Sequence, residues 1–160
     1  MTDFPITPDG LGRLRDELRR LKVEERPRIS QEIGAARELG DLSENFEYHA
    51  AKDRQGFIEA RIRDLEDKMS RAQVIDPKKL SGERVVFGAL VTLMDIDSEE
   101  EKRYQIVGET EANVEEGRIS VASPLARALI GKEVGDEVVV PGRGGQRTVE
   151  IVDVAFAADA

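Results

Sequence analysis

Apolar residues recur every three or four positions through the first half of the chain. Leu11, Leu14, Leu18 and Leu21 form such a run, which is the seam of a coiled coil. A helix start precedes it, with Thr7 as N-cap, Pro8 at the first helical position and Asp9 in the first turn. The period falters between Glu25 and Arg28, where Pro27 lacks the N–H that an inner helical turn uses and should bend the helix. It resumes out of phase at Ile29, Ile33, Ala36 and Leu39, and Gly40 supplies a stop. A second seam follows at Ala51, Ile58, Ile62, Leu65, Met69 and Ala72, with Gln55 as its polar member, and the run ends at Ile75-Asp76-Pro77. Each segment is about thirty residues, or roughly 45 Å of helix. Neither has an obvious partner except the other, so the pattern predicts an antiparallel helical hairpin.

Beyond Pro77 the period changes to two and β-branched residues increase. Residues 78–84, which include Ser81-Gly82, read as a linker. Strands are expected at 84–87, 89–96, 102–107, 118–121, 137–140 and 147–154. A short helix is expected at 123–131, with Ser123 as cap, Pro124 in the first turn and Gly131 as stop. Residues 142–145 read as a hairpin loop, and the acidic stretch 95–101 as a solvated turn. The expected class is α+β. Residues 1–77 form the hairpin, and residues 78–160 a small, strongly bent antiparallel sheet carrying one short helix.

Composition agrees with that division. Charged residues make up 36% and aromatics 4%, too much charge and too little bulk for one large core. The chain carries 24 basic and 33 acidic residues, a net charge of −9. Up to Pro77 there are 14 basic and 17 acidic residues, and beyond it 10 and 16. Neither part is a basic module, so sequence-specific binding to free DNA is not expected. An acidic chain is better matched to basic protein surfaces or cations. The lack of cysteine excludes disulfide and thiolate chemistry and fits a reducing cytoplasm. The start, MTDFPITPDG, does not read as a signal peptide, and the apolar runs are too short for a bilayer, so no membrane partner is expected. With His49 the single histidine, no zinc cluster or histidine-based triad can be assembled. The glycine-rich residues 142–145 open no helix and so do not read as a phosphate cradle.

The candidate chemistry lies at the bend, GDLSENFEY, residues 40–48. Asp41 and Glu44 have the spacing of a capping box, with Asp41 as N-cap of the second helix. Carboxylates in a first turn also favour the helix dipole. The same hard oxygen donors suit Mg²⁺, and spacing alone does not choose between the two roles. Two carboxylates on a turn without a pocket cannot complete a catalytic site, so any chemistry they do belongs inside another protein's site. Arg37, Lys52 and Arg54 lie near the bend and make either a small basic collar or ordinary helix ion pairs.

These residues carry a resemblance. The stretch AARELGDLSENFEYHAAKDRQGFIEARIRDLEDKMSRAQVIDP closely resembles the hairpin of the bacterial GreA/GreB transcript cleavage factors, the GreA branch most of all. SPLARALIGKEVGDEVVVPGRGGQRTVEIVDV looks like that family's FKBP-like C-terminal domain, and RVVFGALVTL and YQIVGE between them are in family style. The resemblance implies an accessory factor rather than a self-contained enzyme. Its globular domain would dock on bacterial RNA polymerase while the hairpin passes down the secondary channel. Asp41 and Glu44 match the tip acids that help hold a second Mg²⁺ and orient a water, so that the extruded 3′ end of nascent RNA in a backtracked complex is cleaved. That ion would be shared with the polymerase, with no cofactor bound to the factor alone. Ser43 and Asn45 are tip neighbours. Phe46 stands where the family commonly has alanine, an aromatic suited to stacking on an RNA base. Arg37, Lys52 and Arg54 are the candidate contacts to RNA or channel.

Three other functions compete. An inhibitory paralogue would occupy the same channel, and retention of GDLSENFEY argues against it. A prolyl isomerase, suggested by the FKBP-like fold, needs an aromatic-lined pocket, yet past Pro77 there are only Phe87, Tyr104 and Phe156. A coiled-coil adaptor would not require acids at the bend.

Overall fold

The computed structural model describes residues 3–41, 45–142 and 144–156. The first arm is helical from Pro8 to Arg37 in three stretches: α1 (Pro8–Arg20), a π-helical turn (Leu21–Glu25) and α2 (Arg26–Arg37). The π turn shows itself in the bond from the Arg26 N–H to the Leu21 carbonyl, one residue wider than an α turn. Pro27 sits in the first turn of α2, where a missing N–H is tolerated. The irregularity expected at Pro27 therefore lies just before it. The extra residue of the wide turn also explains why the apolar phase shifts: it returns Ile29, Ile33 and Ala36 to the side that Leu21 buries.

The second arm is α3 (Phe46–Ser70). Cross-arm pairs Lys22–Glu66, Arg26–Glu59 and Arg54–Glu32 run in opposite order along the two arms, so the hairpin is antiparallel. Ile29, Ile33 and Ala51 make a buried cluster, with Tyr48 and Ile58 packed against it. Ile62 and Leu65 are fully buried, each contributing about 1.5–3 kcal/mol relative to exposure. Leu39, expected in the seam, is 65% exposed because the helix has already ended at Arg37.

The second compact unit is built mainly on a five-stranded sheet of order β5-β4-β3-β7-β6. Its strands are β3 (Ala89–Asp95), β4 (Glu101–Val107), β5 (Arg118–Ser120), β6 (Glu137–Gly142) and β7 (Gly145–Phe156). The pairs β3–β4, β3–β7 and β6–β7 are antiparallel, but β4–β5 is parallel, which corrects the expectation of a wholly antiparallel sheet. Val91, Ile106, Ile119 and Ile151 bury one face of it against Ala126 and Leu129 of α4 (Pro124–Leu129). Ser123 caps α4 by accepting from the Ala126 N–H, as its sequence predicts. The strand expected at 84–87 is absent. Val85 and Phe87 are buried, but only an isolated bridge, Arg84 with Glu133, forms there.

Two short strands were not anticipated. β1 (Phe4–Ile6) and β2 (Ala72–Val74) pair in parallel, Phe4 opposite Ala72 and Ile6 opposite Val74. They redraw the expected boundary at Pro77. One compact unit is Leu11–Arg71, and the other joins Thr2–Gly10 to Ala72–Ala160.

Candidate functional site at the helical bend

The first arm closes with two tighter-wound bonds spanning three residues, from the Glu38 N–H to the Ala35 carbonyl and from the Leu39 N–H to that of Ala36. Gly40 then turns the chain at a φ of +124°, a backbone that side-chain-bearing residues rarely adopt. Asp41 follows, exposed. Ser43 and Glu44 lie outside the described residues.

The N-cap of α3 is Asn45, not Asp41. Asn45 is extended, and its Oδ1 accepts from the Tyr48 N–H at 3.0 Å. Its side-chain amide donates to the carbonyl of Ala36 on the first arm. The capping role that spacing offered to Asp41 is thus taken by a residue that also closes the bend. Sequence reasoning placed Asn45 only as a neighbour, although asparagine three positions before Tyr48 is as good an N-cap as aspartate.

Phe46 opens α3 with 88% of its surface exposed. Tyr48 is half-buried, with the Arg37 guanidinium 5.9 Å from its ring centroid, a cation–π distance, and the His49 ring edge-on at 5.4 Å. The three candidate cations do not share one focus. Arg37 lies over Tyr48, Lys52 donates to Gln55 Oε1 at 3.1 Å, and Arg54 pairs with Glu32 at 2.8 Å. Below the bend a groove of about 550 Å³ is lined by Ala35, Ala36, Leu39, Ala50 and Ala51 with Glu32, Glu47 and Arg54. Among the described residues no group of three or more His, Cys, Asp or Glu side chains could hold a metal.

Farther down the hairpin, Arg26 grips Glu59 with two bonds of 2.9 Å, and Arg61 grips Glu17 at 2.7 and 2.8 Å. The guanidinium hydrogen bonds hold both carboxyls below the usual glutamate range, against a smaller opposing effect of burial. They are struts, not reactive groups.

The globular unit has a cleft of about 400 Å³. Leu93, Leu125, Val140 and Val149 line its apolar part, and Asp95, Glu100, Lys102 and Arg147 are among its polar lining. Asp95 accepts from Arg147 and from the Asp97 and Ser98 N–H groups, which holds its carboxyl far below the ordinary aspartate range. Tyr104 is the aromatic among the described lining residues, so the cleft lacks the aromatic walls an isomerase site would need. No described helix is long and apolar enough to cross a membrane.

Comparison with known proteins matches both units. A family model described as transcription elongation factor, N-terminal, matches residues 4–74, and one described as transcription elongation factor, GreA/GreB, C-terminal, matches residues 80–156. The protein named transcription elongation factor GreA from Beijerinckia indica subsp. indica is 60% identical over 156 residues, 98% of this chain and 99% of its own length. The protein of the same name from Phenylobacterium zucineum is also 60% identical, with the same coverage. Among solved structures, GreA factor homolog 1 (Gfh1) of Thermus thermophilus aligns over 96% of this chain and 99% of its own at 34% identity, with a TM-score of 0.45.

Proposed function

Since the chain belongs to the GreA/GreB family of transcription elongation factors, we propose that it rescues backtracked transcription complexes by stimulating cleavage of the extruded RNA. In this reading the factor docks on bacterial RNA polymerase through its globular unit and carries the bend to the polymerase active site. Asp41 and Glu44 would contribute carboxylate oxygens to a Mg²⁺ ion whose other ligands come from the polymerase and the RNA. Their oxygens would also accept a hydrogen bond from the attacking water and so orient it. A shared ion of this kind stabilises the attacking and leaving oxygens of an in-line phosphoryl displacement.

One observation supports this reading above the others. Asn45, not Asp41, is the N-cap of α3 and ties it to Ala36, and Asp41 is exposed shortly before that cap. An exposed carboxylate beside a braced helix start is what a donor of ligands to another protein's site requires. The donor set agrees as well, since oxygen ligands without nitrogen or sulfur suit Mg²⁺, which accepts one or two protein carboxylates and retains water.

The decisive experiment is RNA cleavage by a stalled, backtracked polymerase with and without the protein. Stimulation by the unmodified chain and its loss in Asp41→Asn support the reading. Equal stimulation by both would remove the bend from the chemistry.

A further inference from the structure

The carbonyl of Ala36 serves both ends of the bend. It accepts from the Leu39 N–H at 3.1 Å, a bond that closes the first arm, and from the side-chain amide of Asn45, which begins the second. A carbonyl oxygen carries two lone pairs, so one atom can take both donors. Ala36 is 4% exposed, so packing holds its backbone where a free helix end would fray. The stretch from Leu39 to Asn45 thus leaves from and returns to one oxygen, and Asp41 lies within it. All of these residues belong to the hairpin unit, Leu11–Arg71.

Asn45 has two separable duties. Its Oδ1 caps α3 by accepting from the Tyr48 N–H at 3.0 Å, and its amide nitrogen reaches across to Ala36. Capping needs only an acceptor, which serine or aspartate supplies equally well. Ionised aspartate offers no donor, and serine has one short hydroxyl. Of the usual caps, asparagine alone carries an acceptor and a donor on two different atoms. A residue that only started α3 would not need the second atom. Gly40, at a φ of +124°, sets the path out of the first arm, and the Asn45 amide fastens the path back.

We propose that Asn45 is a positioning residue for the cleavage reaction: its amide holds the returning chain against the end of the first arm and so sets where Asp41 is presented. The inference rests on the bend serving cleavage, whereas the clasp at Ala36 does not. Without the amide the arms would still pack through Ile29, Ile33 and Ala51 and meet at Arg37 and Tyr48. The bond that fastens the start of α3 to the end of the first arm would be gone. A reacting group tolerates little such freedom, since a displacement of about 1 Å can cost on the order of a hundredfold in rate.

The test is Asn45→Ser in the full chain, which keeps an acceptor for the Tyr48 N–H and loses the amide. With a backtracked polymerase, the cleavage rate at saturating factor should fall by about tenfold or more, while the factor concentration giving half-maximal cleavage stays unchanged. Hydrogen exchange at the Tyr48 amide should stay near that of the unmodified chain. Asn45→Asp, a second cap without a donor, should show the same pair of effects. Because the chain has no cysteine, spin labels on two introduced ones, at exposed Glu38 and Glu47, report on the bend directly. Their distance distribution should be narrow with Asn45 and broader in both variants. An unchanged saturating rate, a loss confined to the half-maximal concentration, or an unbroadened distribution would overturn the proposal. A rate loss that tracks lost Tyr48 protection across the two variants would assign the effect to capping and overturn it as well. If the unmodified chain stimulates no cleavage, the reading of the bend falls, and the label distances still decide the clasp.

Discussion

Asn45 donates from its side-chain amide to the carbonyl of Ala36, the last buried residue of the facing arm before the bend. Its Oδ1 at the same time caps α3 through the Tyr48 N–H. Asn45→Ala removes both bonds and should lower stability by about 1–2 kcal/mol. Asn45→Asp keeps the cap and loses the donor, so it should fall between the two. Thermal melts, together with hydrogen exchange at the Tyr48 amide, separate the cap from the cross-arm bond.

Asp41 is not the N-cap of α3, a place that Asn45 takes. Asp41→Asn should lower stability by about 1 kcal/mol or less. Stimulated cleavage should nonetheless fall to the polymerase's own rate, with binding to the polymerase nearly intact. Glu44→Gln should behave alike. Competition binding beside the cleavage assay checks both, and full cleavage by either neutral variant would reduce the bend to a helix terminus.

Magnesium dependence should follow from the ligand count. Two carboxylates on a turn fill only part of a Mg²⁺ shell, so calorimetry on the protein alone should detect very weak binding. In a backtracked complex the factor should lower the Mg²⁺ concentration that gives half-maximal cleavage, and Asp41→Asn should not. An unchanged midpoint would mean that the acids act by some route other than sharing the ion.

The Arg147–Asp95 pair gives a pH test. The Arg147 hydrogen bond, with two backbone N–H groups, depresses the folded-state pKa of Asp95. Its contribution to stability is therefore fully present above the unfolded aspartate value, near 3.9, and is lost as pH falls through the lower folded one. The melting temperature of the unmodified chain should exceed that of Asp95→Asn by a constant amount above about pH 5, with the gap shrinking steadily in more acid solution. A gap independent of pH down to strong acid would show that the carboxylate charge contributes nothing.

A fragment starting at Lys78 should be a poor version of the globular unit. It lacks Thr2–Gly10 and β2, so Glu111 would keep the Gly108 N–H and lose both bonds to Thr7. It also loses the β1–β2 pair and the buried side chains of Phe4 and Ile6. Urea unfolding followed by circular dichroism should show a lower midpoint for this fragment than for the unit within the whole chain. Equal midpoints would assign no weight to the missing segments Thr2–Gly10 and β2.

The parts that were legible from residues alone are those with a local period. Both arms of the hairpin, the interruption near Pro27, the helix after Ser123 and five of the sheet strands follow from spacing and caps. What was not legible depends on partners distant in sequence. β1 and β2 are three residues each and more than sixty positions apart, so neither carries a pattern long enough to read. Residues 84–87 show the converse: Val85 and Phe87 alternate and are buried, but alternation reports burial and not a ladder. At the bend, the exposed setting of Asp41 was expected, while the Asp41–Glu44 spacing drew the N-cap away from Asn45.

The π turn at Leu21–Glu25 has a consequence for how the two arms can meet. An uninterrupted heptad is a ruler with identical divisions, on which one helix can slip by seven residues and still find its holes. The wide turn is a single unequal division. Slippage would set the phase of Leu21 against a surface shaped for that of Ile29, so the arm carries an index mark that admits one alignment. The number of residues from the π turn to the bend is thereby fixed in the chain itself, like the length of a gauge cut to one size.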